Sequence, residues 1–204
     1  MARSREPSTG AQRSSVFELA ILGMLADAPM HGYELRQQLS TTLGSLRVLS
    51  YGSLYPMLRR LEAAGHVTTE PVQIDPDELP LTSKRSRVTY RITTEGKERL
   101  ADLLSDDGPQ AFTDDGFEVH LAFFSKTSSE ARMRILEGRR RRLEERREGL
   151  RAALGKAADR LDAYTDQLRQ LGLESADREV RWLNELIDTE RAARDEAGGA
   201  PPDD

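Results

Sequence analysis

The chain has no cysteine, one tryptophan and few aromatics of any kind, at 5% of its residues. The missing thiols exclude disulfides and cysteine catalysis, and they fit a reducing cytoplasm. Long apolar runs are missing too: the longest, around Val16–Met24 and Val119–Phe124, fall short of the roughly 20 residues that span a bilayer. No membrane association is expected. The opening MARSREPSTG has no apolar segment behind it, so no export signal is read there. The three histidines, His31, His66 and His120, share no metal-ligand spacing, and no metal site is expected. Asp114, Asp115 and Glu118 are better explained by helix capping than by a cation. Ser/His/Asp motifs, phosphate loops and dinucleotide fingerprints are all missing, so neither an enzyme nor a bound cofactor is expected.

What is present is charge and helical periodicity. Of 204 residues, 32% are charged and 37% hydrophobic, the composition of a soluble, helix-rich protein with a modest core. The net charge of -5 is unevenly spread: residues 1–100 hold 13 Lys+Arg against 11 Asp+Glu, and the remainder hold 17 against 24. Local arginine placement matters more to nucleic-acid binding than this total, because counterion release follows the phosphates contacted.

Ser15 and Glu18 have capping-box spacing ahead of LAILGML, which predicts a first helix over about 16–27. After Ala28-Pro29-Met30-His31-Gly32, the recurrence of Tyr33, Leu35, Leu39 and Leu43 predicts a second, ended by Gly44. A third is predicted in VLSYGSLYPMLRRLEAAGHV, with Leu54, Met57, Leu58 and Leu61 on one face and Gly65 at its stop. Pro56 is tolerated only near a helix start, which puts the first turn close to Ser50. The period then becomes strand-like in HVTTE and RVTYRI, a two-stranded hairpin with a long, acidic, proline-containing connection. A fourth helix opens at Thr94 and runs through Leu100, Leu103 and Leu104. This is the order of a winged helix-turn-helix.

SDDGPQAFT, residues 105–113, reads as a linker. Beyond it, Thr127–Glu130 offers another capping box to a long charged helix. Leu136, Leu143 and Leu150, and in a second series Leu154, Leu161 and Leu168, sit seven apart, with Leu171 continuing the first. The spacing is heptad-like. Arg140 and Arg147 interrupt the second series. Gly172 is expected to break the helix, and Ser175 to cap a last one in which Val180, Leu183, Leu186 and Ile187 line a face beside Trp182. The expected domains are therefore a disordered arm (1–13), a winged helix-turn-helix (14–104), the linker, a long-helix, coiled-coil-like dimerisation domain (114–196) and a disordered tail (197–204).

The start of the third helix is the strongest candidate site. Ser50, Tyr51, Gly52, Ser53 and Tyr55 supply small hydroxyls, close backbone approach and phenols suited to phosphate or base edges, and Arg59 and Arg60 follow on the same element. Read alone, serine and glycine would merely cap a helix and Tyr55 would pack inward. Lys84, Arg85, Arg87 and Arg91 form a basic hairpin, either a wing on the phosphate track or a solubilising edge. Position after the Ser/Tyr/Arg helix favours the wing. Arg139–Arg142 alternate with acids and read instead as a solvated coiled-coil flank with pairs such as Arg140 with Glu144 and Arg141 with Glu145. Leu136, Leu143, Leu150, Leu154, Leu161, Leu168, Leu171 and Trp182 are the expected dimer seam. Phe117, Phe124, Tyr164 and Trp182, with Phe112 and Phe123 nearby in sequence, would line either an effector pocket or plain interface core.

LAILGMLADAPMHGYELRQQL, LSYGSLYPMLRRLEAAGHV and RVTYRITTEGKERL, over about residues 16–104, together resemble the PadR family of bacterial transcriptional regulators. The most specific parts are MHGYEL (30–35) and YGSLYP (51–56). The resemblance implies a homodimer whose two winged helices bind double-stranded DNA at an inverted-repeat operator, commonly repressing a nearby gene and commonly released by a small apolar or phenolic effector. It puts Ser50, Tyr51, Gly52, Ser53, Tyr55 and Arg59 on the recognition helix, and Lys84, Arg85 and Arg87 on the wing. Pro71–Pro80 departs from the pattern by being longer and more acidic. That loop and the net charge motivate a second reading, a winged-helix module that docks a protein partner.

Overall fold

The computed structural model describes residues 9–43, 53–71, 88–157 and 162–198. In chain order these form α1 (Thr9–Asp27), β1 (Met30–His31), α2 (Gly32–Thr42), α3 (Leu54–Ala63), β2 (Val67–Pro71), β3 (Val88–Ile92), α4 (Thr94–Ser105), α5 (Asp114–Ala122), α6 (Ser129–Ala157) and α7 (Ala163–Gly198). Short 3-10 turns at Pro109–Phe112 and Phe124–Lys126 flank α5. The chain is mainly α and divides into two compact units, one of residues 1–106 with 114–127 and the other of 107–113 with 128–204. The single boundary expected over 105–113 is thus interleaved: 107–113 groups with the long helices, while α5 groups with the winged helix.

In the first unit α1 is the central element, with Val16, Phe17, Leu19, Ala20, Ile21, Leu22, Met24 and Leu25 all buried. It begins at Thr9 rather than near Val16, so residues 9–13 are helical and Ser15 is no cap. Glu18 instead accepts both Nε and Nη2 of Arg99 on α4, at 3.0 and 3.1 Å. A cross-helix ion pair uses the carboxylate that a capping box would need. The spacing of Leu54, Met57, Leu58 and Leu61 does what it predicts: all four are buried on one face of α3. Gly65, at φ +77°, closes that helix; its N–H donates to the Glu62 carbonyl and that of His66 to Leu61, the paired bonds of a Schellman stop that glycine adopts without strain.

The hairpin pairs β2 and β3 antiparallel, with Thr69 opposite Tyr90. The unforeseen strand is β1, whose Met30 and His31 pair with Tyr90 and Thr89 to give the order β1-β3-β2. Thr93 caps α4, accepting from the Gly96 N–H at 3.0 Å and donating its hydroxyl to the Gly65 carbonyl at 2.6 Å. Gly96 itself lies against the His66 carbonyl, with no room for a Cβ.

In the second unit α6 and α7 pack as a pair. Ser128 caps α6 through the Ala131 N–H at 3.3 Å. The helix break lies not at Gly172 but before Ala163: α7 runs unbroken through Gly172 and Ser175, and Gly172 faces Leu150 with room for a Cβ at ordinary contact distance. Asp162 supplies the cap, accepting from the N–H groups of Tyr164 and Thr165 at 3.0 Å each and from the Thr165 hydroxyl at 2.6 Å. Those hydrogen bonds, the Thr165 hydroxyl's foremost, hold its carboxyl below the ordinary value.

Beside the buried Ile135, Leu136, Leu143, Val180, Leu183 and Ile187, the arginines of α6 meet polar partners on α7. Arg139 is buried, bonded to Glu179 at 2.6 and 2.8 Å and to the Phe112 carbonyl at 3.0 Å. It is therefore no part of a solvated flank. Arg140 has Glu144 at 3.9 Å on its own helix and donates to Asn184 at 3.3 Å, while Arg147 reaches Asp177 and Arg132 reaches Glu190. The residues that interrupt the leucine series are thus met by polar partners on α7. A buried guanidinium left unpaired would cost several kcal/mol.

Candidate nucleic-acid interface

Burial of its apolar face leaves α3 with Pro56, Arg59, Arg60, Glu62 and Ala63 exposed. Among the described residues the Arg59 guanidinium makes only a long bond within its own helix, from Nε to the Tyr55 carbonyl at 3.5 Å. Arg60 points elsewhere and donates to the Ser14 hydroxyl of α1 at 3.0 Å. Ser53 is the half-buried residue ahead of the first turn, its carbonyl accepting from the Met57 N–H at 3.1 Å. Ser50, Tyr51 and Gly52 lie outside the described residues, so the described helix opens at Leu54.

Tyr55 is half-buried, with its ring against the Cα of Gly32 at the start of α2; a Cβ there would stand 3.1 Å from Cε1 and 3.3 Å from the hydroxyl. The inward packing weighed as the plainer alternative thus accounts for much of this ring. Tyr90 of β3 is half-buried against the same core. Burial first, and then the Glu62 carboxylate, hold its phenol above the ordinary value, with Arg59 pulling the other way. Tyr90 therefore stays neutral between the helix and the hairpin. Glu62 also accepts the Thr69 hydroxyl at 2.7 Å, tying α3 to β2.

On the hairpin, Lys84, Arg85 and Arg87 lie outside the described residues. Arg91, expected with them, makes a two-pronged pair with Glu70 across the strands, at 3.1 and 3.2 Å, and its charge is matched there. His31 extends the hairpin's reach. Its Nδ1 lies 3.2 Å from the Val88 carbonyl and 3.5 Å from the Thr89 hydroxyl, and its N–H donates to Glu34 at 2.8 Å. This joins α2 to the strand on which the wing returns. The signal for it was the His31-to-Glu34 spacing, half of a capping box.

Among the remaining candidates, Leu136 and Leu143 are buried in the unit of α6 and α7, and Leu150 is half-buried there. They serve the packing of one chain's own helices. The side chain of Leu154 and all of Leu161 lie outside the description. Leu168 and Leu171 are 69% and 58% exposed, and Trp182 is 41% exposed. Phe117 and Phe124 are buried, while Tyr164 is 88% exposed, so these four residues do not share one buried environment. No group of His, Asp and Glu suited to a metal ion occurs among the described residues, and no described helix is long and apolar enough to cross a membrane.

The family model described as the transcriptional regulator PadR-like family matches residues 21–102, which spans α2, α3, the hairpin and most of α4. Solved structures similar to the chain include Bacillus subtilis PadR in complex with operator DNA, at 22% identity over 86% of this chain and 99% of that one, with a TM-score of 0.41. The same protein in complex with p-coumaric acid matches at 20% identity over 86% and 99%, TM-score 0.39. A PadR-like regulator of Bacillus cereus matches at 19% over 86% and 98%, TM-score 0.38. A search of curated protein sequences gives no match. Over residues 21–102, therefore, the chain is similar to the PadR-like family of transcriptional regulators.

Proposed function

We propose that the chain is a sequence-specific DNA-binding repressor acting in the cytoplasm as a homodimer on an inverted-repeat operator, and that a small apolar or phenolic effector releases it. A protein of this family is a transcriptional regulator and not an enzyme. The observation that carries the finer reading is α3, which buries four apolar residues and leaves Arg59 exposed with, among the described residues, only a long bond inside its own helix. An arginine so held is available to a base edge or a phosphate. The basic residues Lys84, Arg85 and Arg87 on the connection that follows supply the chemistry of a second contact.

Self-association is supported by α7. Tyr164, Leu168, Leu171 and Trp182 are exposed and follow one another at intervals of four, three and eleven residues, one stripe of the helix. A second copy of the chain is its proposed partner. For the effector, the phenylalanines of α5 and the following turn offer apolar chemistry, and the same segment carries the buried His120.

The deciding experiment is sequencing of the genomic fragments that the purified protein retains. Enrichment of one palindromic site beside a gene supports the repressor. Uniform recovery of fragments, or none at low salt, would favour the protein-docking module to which the acidic connection points.

A further inference from the structure

Among the described residues of the first unit, one large apolar side chain remains exposed: Tyr33, at 57%. It contributes little to the core. Its ring stacks on that of His31, with centroids 6.3 Å apart and planes 12° from parallel. His31 is in turn held to β3 at Val88 and Thr89, and Gly32, between the two rings in sequence, carries the ring of Tyr55. Tyr33 therefore stands at the junction of α3 and the returning strand of the hairpin. Tyr33 thus flanks the two elements that the DNA-binding reading assigns to the duplex.

The hydroxyl is free to change partners. It donates to Glu34 Oε1 at 3.4 Å, a long bond, whereas Glu34 Oε2 takes the His31 N–H at 2.8 Å. Glu34 thus keeps its stronger partner if the phenol leaves. We propose that Tyr33 is a sugar-phosphate contact of the DNA-binding unit, its hydroxyl donating to a phosphate oxygen while its ring, steadied by His31, lies against the deoxyribose. The inference rests on the DNA-binding reading above and adds a neutral contact on α2 to the cationic ones on α3 and the hairpin. Phosphate contacts set register without reading sequence, and a neutral donor displaces no counterion.

The test is fluorescence anisotropy on a retained genomic duplex and a scrambled duplex of equal length, over a salt series, for the full chain and for Tyr33→Phe, Tyr33→Ala and Arg59→Ala. Tyr33→Phe and Tyr33→Ala are expected to weaken binding to both duplexes by a similar factor, roughly tenfold for a charge-assisted hydrogen bond, with an unchanged salt slope. Wild-type affinity in Tyr33→Phe overturns the proposal, whatever Tyr33→Ala does. A loss confined to the retained duplex also overturns it, since that is the mark of base reading. If Arg59→Ala binds poorly while both Tyr33 variants bind normally, the DNA reading stands and the Tyr33 contact falls; if the unaltered chain binds neither duplex, both fall. Tyr33→Phe keeps the ring and its stacking, so the test survives any misfolding of Tyr33→Ala.

Discussion

Tyr55 and Arg59 stand one turn apart on α3, yet the fold uses them differently. Tyr55 rests on Gly32, while Arg59 has, among the described residues, only the distant Tyr55 carbonyl. Arg59→Ala should therefore leave stability almost unchanged and cost about 1–3 kcal/mol in binding to the operator, with a smaller loss on scrambled duplex; titration of both duplexes checks this. His120 makes a different prediction. It is buried on α5, and burial lowers its pKa, with only the charge of Asp106 opposing. The folded state then binds a proton less readily than the unfolded chain. Stability should be full above the unfolded value of about 6.5 and fall as pH drops toward the lowered folded value, where the loss levels off. Urea melts between pH 8 and 5 should show that slope, and His120→Leu should flatten it. Tyr55 and Arg59 were legible in the sequence as candidates, but not that one would rest on Gly32 and the other stay exposed. Tyr33 was read with Leu35, Leu39 and Leu43, yet it lies two positions from Leu35 and so faces roughly the opposite side of the helix.

At the scale of elements, the winged-helix order was readable because each change of period coincides with a stop signal, such as Gly65 after α3. The two-residue β1 was not, since two residues carry no period. In the long helices the leucine spacing was real, but a heptad repeat does not say whose helix fills the seam. Leu136 and Leu143 are buried in their own chain's unit, and the true break was marked by the cap at Asp162 and Thr165 rather than by Gly172. This separates two kinds of leucine on α7. Leu168→Glu with Leu171→Glu should leave the helix folded and shift the protein to monomer in sedimentation, because both side chains are exposed. Leu183→Ala, at a fully buried position, should instead cost about 2–5 kcal/mol of stability. Unchanged sedimentation of the double variant would remove α7's stripe from the interface. The connection between β2 and β3 carries Asp75, Asp77 and Glu78 ahead of Lys84 and Arg85. Replacing those three acids by Asn, Asn and Gln should raise affinity for any duplex, most at low salt, where repulsion is least screened.

For the whole molecule, the charge division has a consequence. Residues 1–100 are net positive by two and the remainder net negative by seven, so the net charge of the half with the winged helix favours DNA and that of the remainder does not. One such unit holding few phosphates binds weakly at physiological salt. Two joined by α7 would bind as one body, and a two-fold dimer reads half-sites about 10 bp, or roughly 34 Å, apart or at multiples of that distance. Inserting 5 bp between the half-sites turns one of them about half a revolution around the duplex, out of reach of a rigid pair. Affinity for the lengthened site is then expected to drop to that of an isolated half-site. The Leu168→Glu, Leu171→Glu variant provides the control: as a monomer it should bind the original and lengthened sites equally, at the half-site level. If the unaltered chain also ignores the insertion, its two winged helices act independently, and dimerisation through α7 does not set operator geometry.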